Sequence, residues 1–267
     1  MPDPLPAEML DHVVDYLHDT QDTLRNCCLV SKSWVPRTRK HLFADIGFPT
    51  AKSLQSWKET FPDPSTSPAY YAKALSVGCF HLVTAADAEV GGWIRGFSHI
   101  VHLEVASRAM RSDPNKLGIS LVPFHGISPI IKSLRVVVPH LPSSRILFDL
   151  ILSFPLLEDL AVMIFGAPID GGDDSEEDEM LTAVQPSSPR MFTGTLELHM
   201  FEGVEPFARR LMSLPGGTHF RKLAMVWFYE ETLWLAAALV EECSHTLESL
   251  DVFWGLRGTY SRHLRSY

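Results

Sequence analysis

His99-Ile100-Val101-His102-Leu103-Glu104 places two histidines and a glutamate within six residues, so metal chemistry is the first reading to weigh. Imidazole nitrogens and a carboxylate are good zinc ligands, but a site needs three or four of them converging on one point. The His-x-Glu of a zinc deaminase works beside a Pro-Cys-x-x-Cys pair, and this chain has none. If Leu103 and Val105 face a core along an extended segment, His102 and Glu104 share the opposite face as a solvated pair. Cys27 and Cys28 are adjacent while Cys79 and Cys243 stand alone in apolar stretches, which gives neither a disulfide framework nor a metal knuckle. They read as small buried hydrophobes. There is no Gly-x-Ser-x-Gly elbow, no phosphate-binding glycine loop, no His-Glu-x-x-His and no dinucleotide fingerprint. The expectation is a protein without catalytic residues, metal or cofactor, one that works by binding.

The bulk properties narrow the partners. With 267 residues, 46% hydrophobic and 21% charged, the chain can build one sizeable core or a small module joined to a larger one. A formal net charge of -9 argues against nucleic acid, because phosphate neutralisation needs a concentrated basic face. No apolar run reaches the length of a spanning helix, and Met1-Pro2-Asp3-Pro4 lacks the basic start of a secretory signal. The chain therefore reads as intracellular, in the cytoplasm or the nucleus, with no membrane contact.

The most specific pattern lies between Leu5 and Ile46. Pro6 suits a first helical turn and Glu8 sits near the positive end of the helix dipole. Met9, Leu10, Val13, Val14 and Leu17 follow at helical spacing. After a polar break at residues 18–22, a second helix carries Leu24, Cys27, Cys28, Val30 and Trp34; Pro36 should interrupt it, with a third short helix over Thr38 to Phe43. About 40 residues cannot shield that many apolar side chains among themselves, so something else must cover them.

These residues resemble the F-box family. Its pattern of a Leu-Pro-x-Glu start, a Tyr-Leu helix end, a leucine-rich middle, Val-x-Lys-x-Trp and a late aromatic stands here as Leu5-Pro6-Ala7-Glu8, Tyr16-Leu17, Leu24 to Leu29, Val30-Ser31-Lys32-Ser33-Trp34 and His41-Leu42-Phe43. Two departures are Pro36, where the family continues helically, and the lack of a second proline between the first helices. The resemblance implies a helical F-box over 1–46 that inserts apolar side chains into the Skp adaptor, and through it meets cullin and RING subunits. Leu5, Pro6, Leu10, Leu24, Leu29, Val30 and Trp34 are the positions it marks as adaptor contacts or their immediate support. Sequence alone does not separate those two groups.

Residues 47–72 read as a linker and bridging helix. Beyond them, short strand-like runs recur: Leu75-Ser76-Val77, Leu103-Glu104-Val105, Leu134-Arg135-Val136, Leu160-Ala161-Val162, Leu196-Glu197-Leu198, Leu223-Ala224-Met225 and Leu250-Asp251-Val252. Successive starts are 28, 31, 26, 36, 27 and 27 residues apart. Segments with helical spacing lie between several of them, at Arg145 to Phe154, Pro206 to Leu214 and Thr232 to Cys243. This is the signature of an α/β solenoid over 73–267 that is similar to irregular leucine-rich repeats, with parallel strands on the concave side and helices on the convex side. A doubly wound α/β domain alternates in the same way, but no glycine-rich phosphate turn follows any strand.

The 36-residue step contains Ile169-Asp170-Gly171-Gly172-Asp173-Asp174-Ser175-Glu176-Glu177-Asp178-Glu179, which has too little apolar content to offset ordering entropy. We expect an acidic disordered insertion over 168–190. Ser175, with acids at its next four positions, resembles a site for an acidophilic kinase. If the leucines and valines of the repeats point inward, the residues between them face the concave surface: Glu104, Arg135, Val137, Ala161, Met163, Glu197, His199, Ala224, Val226, Asp251 and Phe253. Mixed apolar and charged groups suit a protein target better than a phosphate or a metal. Strands buried on both faces would explain Val137, Met163 and Val226 equally well. Two functions stay open: a substrate receptor of a ubiquitin ligase, or an interaction module with no ligase connection. The chain also ends, after Leu250 to Trp254, without a recognisable capping repeat.

Overall fold

A leucine followed two residues later by valine, leucine or methionine returns every 26 to 36 residues and gives these strands similar inward pairs, so successive strands can stack in register and bury matching rows. The computed structural model of the chain describes residues 6–63, 66–78, 92–106, 124–138, 144–164, 192–200, 204–214, 216–227 and 233–254. Among these, β1 (Asp45–Phe48), β2 (Ala74–Gly78), β3 (His102–Ala106), β4 (Ser133–Val138), β5 (Asp159–Ile164), β6 (Thr195–Met200), β7 (Lys222–Trp227) and β8 (Ser249–Trp254) form one sheet in strict chain order. Every pairing is parallel. The fold is α/β, with each strand added beside the last as in a solenoid.

Register produces two continuous inward rows. Ile46, Leu75, Leu103, Leu134, Leu160, Leu196, Leu223 and Leu250 align in one; Phe48, Val77, Val105, Val136, Val162, Leu198, Met225 and Val252 align in the other. From β1 to β7 every member is buried. Helices α5 (Ser144–Leu152), α6 (Val204–Met212) and α7 (Leu233–Glu242) cover this face. Leu147, Leu150 and Ile151, then Phe207 and Leu211, then Leu235 and Leu239 join the same core at i, i+3, i+4 spacing. All three helices overlap the segments that the sequence reading marked as helical, the first two starting one and two residues earlier.

The strand entrances repeat a backbone device. Ala44 O accepts from the N–H groups of Lys73 and Ala74, Lys73 O from Val101 and His102, Val101 O from Lys132 and Ser133, and Lys132 O from Glu158 and Asp159. Gly194 O and Arg221 O do the same for the last two strands. One rung differs, and it follows the 36-residue step. There Glu158 O accepts only from Gly194 N, while the Asp159 carboxylate takes the N–H of Thr195 at 2.7 Å. A Cβ on Gly194 would lie 2.4 Å from that carboxylate and 2.6 Å from Glu158 O, so only glycine fits the substituted rung.

The amino-terminal part comprises α1 (Ala7–Tyr16), α2 (Gln21–Val30) and α3 (Val35–Leu42). Pro36 lies in the first turn of α3, so it opens that helix instead of interrupting the one before. The sheet also starts one strand earlier than the recurring leucine pattern suggested: β1 follows α3 directly and uses Ile46 and Phe48. Within the stretch read as linker and bridging helix, α4 (Ala51–Thr60) carries a Thr50–Ser53 capping box. Trp57 of α4 packs its ring edgewise against Phe43 at 6.1 Å and Phe48 at 5.6 Å, which locks helices and sheet together. No helix among the described residues is long and apolar enough to cross a membrane.

Candidate functional site

Helix α1 carries two apolar stripes. Leu10, Val14 and Leu17, at i, i+4 and i+7, turn inward, with Val14 1% exposed and the other two half-buried. Met9, Val13 and Tyr16 repeat the same spacing one residue earlier and face outward, at 53%, 49% and 88% exposure. A helix of 10 residues cannot turn both stripes toward one neighbour. Helix α2 behaves likewise: Leu24 and Cys27 are buried, whereas Leu29 and Val30 at its end are 85% and 68% exposed.

A charged knot fixes this arrangement. Both carboxylate oxygens of Asp15 on α1 meet the Arg37 guanidinium of α3, and Oδ1 also meets His41 Nε2 at 2.7 Å. Hydrogen bonds from Arg37, and then from His41, hold the Asp15 carboxyl well below the usual carboxylate range. A group whose folded pKa is depressed stabilises the fold above its unfolded pKa and loses that contribution as pH falls through the folded value. Asp15→Asn should therefore lower the urea midpoint at pH 7, and the gap from the parent should start to narrow only as pH falls below about 3.8, where the unfolded carboxyl takes up its proton first. A gap of the same size at pH 2.5 as at pH 5 would show that the knot acts by packing and not by charge.

The positions marked for the adaptor divide accordingly. Pro6, Leu29 and Val30 are exposed, Leu10 and Trp34 are half-buried, and Leu24 is fully buried and so supports the module from inside. Leu5 lies outside the described residues. Met9, Val13 and Tyr16 were not marked as contacts, although the doubled i, i+4, i+7 spacing of α1 was available to find them.

The second surface is the sheet face away from the helices. Ser76, Glu104, Arg135, Ala161, Glu197, Ala224 and Asp251 align across it, and beside them run Gly78, Ala106, Val137, Met163, His199, Val226 and Phe253. The expected positions share one face, but Met163 and Val226 are each only 4% exposed and cannot be free contact residues. The Arg135 guanidinium reaches across the small Ala161 to Met163 Sδ at 3.5 Å and Glu197 at 3.7 Å, partly covering the methionine. Glu197 is also bonded to His199 at 2.8 Å, and the His199 bond, with both charges nearby, draws its carboxyl below the ordinary range. Phe253 is 56% exposed, and Leu250 and Val252, inward-row members on the last strand, are 45% and 46% exposed.

His99, His102 and Glu104 do not converge. His99 lies edgewise on Tyr70 with ring centroids 4.4 Å apart, while His102 and Glu104 stand on the open face of β3. Cys27, Cys28 and Cys243 are free thiols; Cys79, Ser175 and the acidic segment over 168–190 lie outside the described residues. No family model matches the chain, and no curated protein matches it.

Proposed function

We propose that this chain is an F-box protein: the substrate-recognition subunit of a Skp-cullin-F-box ubiquitin ligase, holding the Skp adaptor through its first helices and a protein target through the sheet of leucine-rich-like repeats. The observation that carries the reading is the outward stripe Met9, Val13 and Tyr16, with Leu29 and Val30, on a module whose interior is already filled by Val14, Leu24 and Cys27. Large apolar side chains grouped on one short segment mark a surface that a second protein completes. The motif residues Leu5-Pro6-Ala7-Glu8 and Val30-Ser31-Lys32-Ser33-Trp34 flank that stripe in the sequence and name the partner class. Joining an adaptor site to a target site on one rigid frame raises the effective concentration of target near the ligase, and this role needs no catalytic group.

Co-purification with the Skp adaptor tests the reading. The parent chain should carry adaptor and cullin through affinity capture, and Leu5→Ala with Pro6→Ala should lose both while keeping its melting temperature. A parent chain that captures no adaptor would leave the interaction-module alternative standing.

A further inference from the structure

The open sheet face has a charge pattern that the strand register makes legible. Glu104 and Arg135 are directly opposed on adjacent strands, the arrangement in which opposite charges ordinarily pair. Arg135 instead turns away, across Ala161, to Met163 and Glu197. Glu197 is thus neutralised, with His199 completing its contacts, and Glu104 has no ionic partner among the described residues. Asp251, on the same row, has none either, because its neighbour in register is Ala224. The row therefore holds a satisfied centre with one unpaired carboxylate on each side. Between them the adjoining row offers half-exposed Val137, and exposed Phe253 stands on β8 beside Asp251 as a second apolar contact.

We propose that this face binds an extended, cationic peptide segment that crosses the strands and bears two basic residues, one for Glu104 and one for Asp251, with apolar side chains between. Five strand steps separate β3 from β8, about 24 Å at about 4.8 Å per step, and an extended chain covers that in about seven residues. The proposal deepens the target half of the proposed function, and adaptor binding does not enter it.

The test uses full-length protein and fluorescent twelve-residue peptides of serine and leucine carrying two arginines at separations from two to ten residues. Fluorescence polarisation should give the highest affinity near a separation of seven. Glu104→Gln with Asp251→Asn should weaken that peptide about tenfold, from two partly screened charge pairs. Glu59→Gln with Glu241→Gln removes the same charge elsewhere and should leave the affinity unchanged. Equal loss in both double variants, affinity independent of arginine separation, or no binding by any peptide would each overturn the proposal. Adaptor capture by the same preparations separates the two readings: peptide binding without capture removes the ligase role alone, and capture without peptide binding removes the cationic-segment proposal alone.

Discussion

Replacing Val13 and Tyr16 together with aspartate is expected to reduce Skp-adaptor binding by at least about a hundredfold while leaving the melting temperature within about 2 °C of the parent. Both side chains are outward on α1, at 49% and 88% exposure, so the folded monomer makes little use of them. An exposed substitution away from packing and caps ordinarily shifts stability by less than about 0.5 kcal/mol. In a complex the same two positions would place carboxylates in a desolvated apolar contact. Losing two such anchors at about 2 kcal/mol or more each is ample for a hundredfold change. Val14→Asp, on the inward stripe at 1% exposure, should instead unfold the module. Capture assays beside thermal melts separate the two outcomes. Adaptor binding that survives the outward pair would remove α1 from the interface.

The second large effect belongs to the sheet. Leu134 is fully buried at the middle of the inward row, between Leu103 and Leu160 in register. Leu134→Ala should cost about 3–5 kcal/mol, because the helices on one side and two fixed strands on the other allow little collapse into the space. Against a total stability of about 5–15 kcal/mol, that lowers the melting temperature by about 10 °C or more. Arg135→Ser, one residue along and on the open face, should cost less than about 1 kcal/mol. Equal costs at the two positions, by urea or thermal unfolding, would contradict the assignment of inward and open faces.

Much of this architecture can be read without coordinates because its physics is periodic. Seven of the eight strands announce themselves by alternation of leucine with valine, leucine or methionine, and register turns that alternation into rows. β1 escaped because Asp45-Ile46-Gly47-Phe48 is only four residues long and begins three residues after a helix. Pro36 was misread because the same restriction that breaks a helix interior also favours its first turn. On α1, composition shows that apolar surface is in excess, but which stripe faces inward depends on where α3 and the Asp15–Arg37–His41 knot fix the helix. On the open face, the sequence left exposure and burial of Met163 and Val226 equally open, and for Met163 the deciding side chain, Arg135, comes from a neighbouring strand. Ser175 and Leu5 lie outside the described residues, so their suggested roles stay expectations from sequence.

The most direct measurement is amide hydrogen exchange on the purified full-length chain, alone and mixed with purified Skp adaptor. If a foreign subunit finishes the packing of the first helices, a one-to-one complex should form and exchange should slow across residues 7–16 and 21–30, with β3 to β7 unchanged. Exchange rates in α1 and α2 that stay the same at tens of micromolar adaptor would contradict the account.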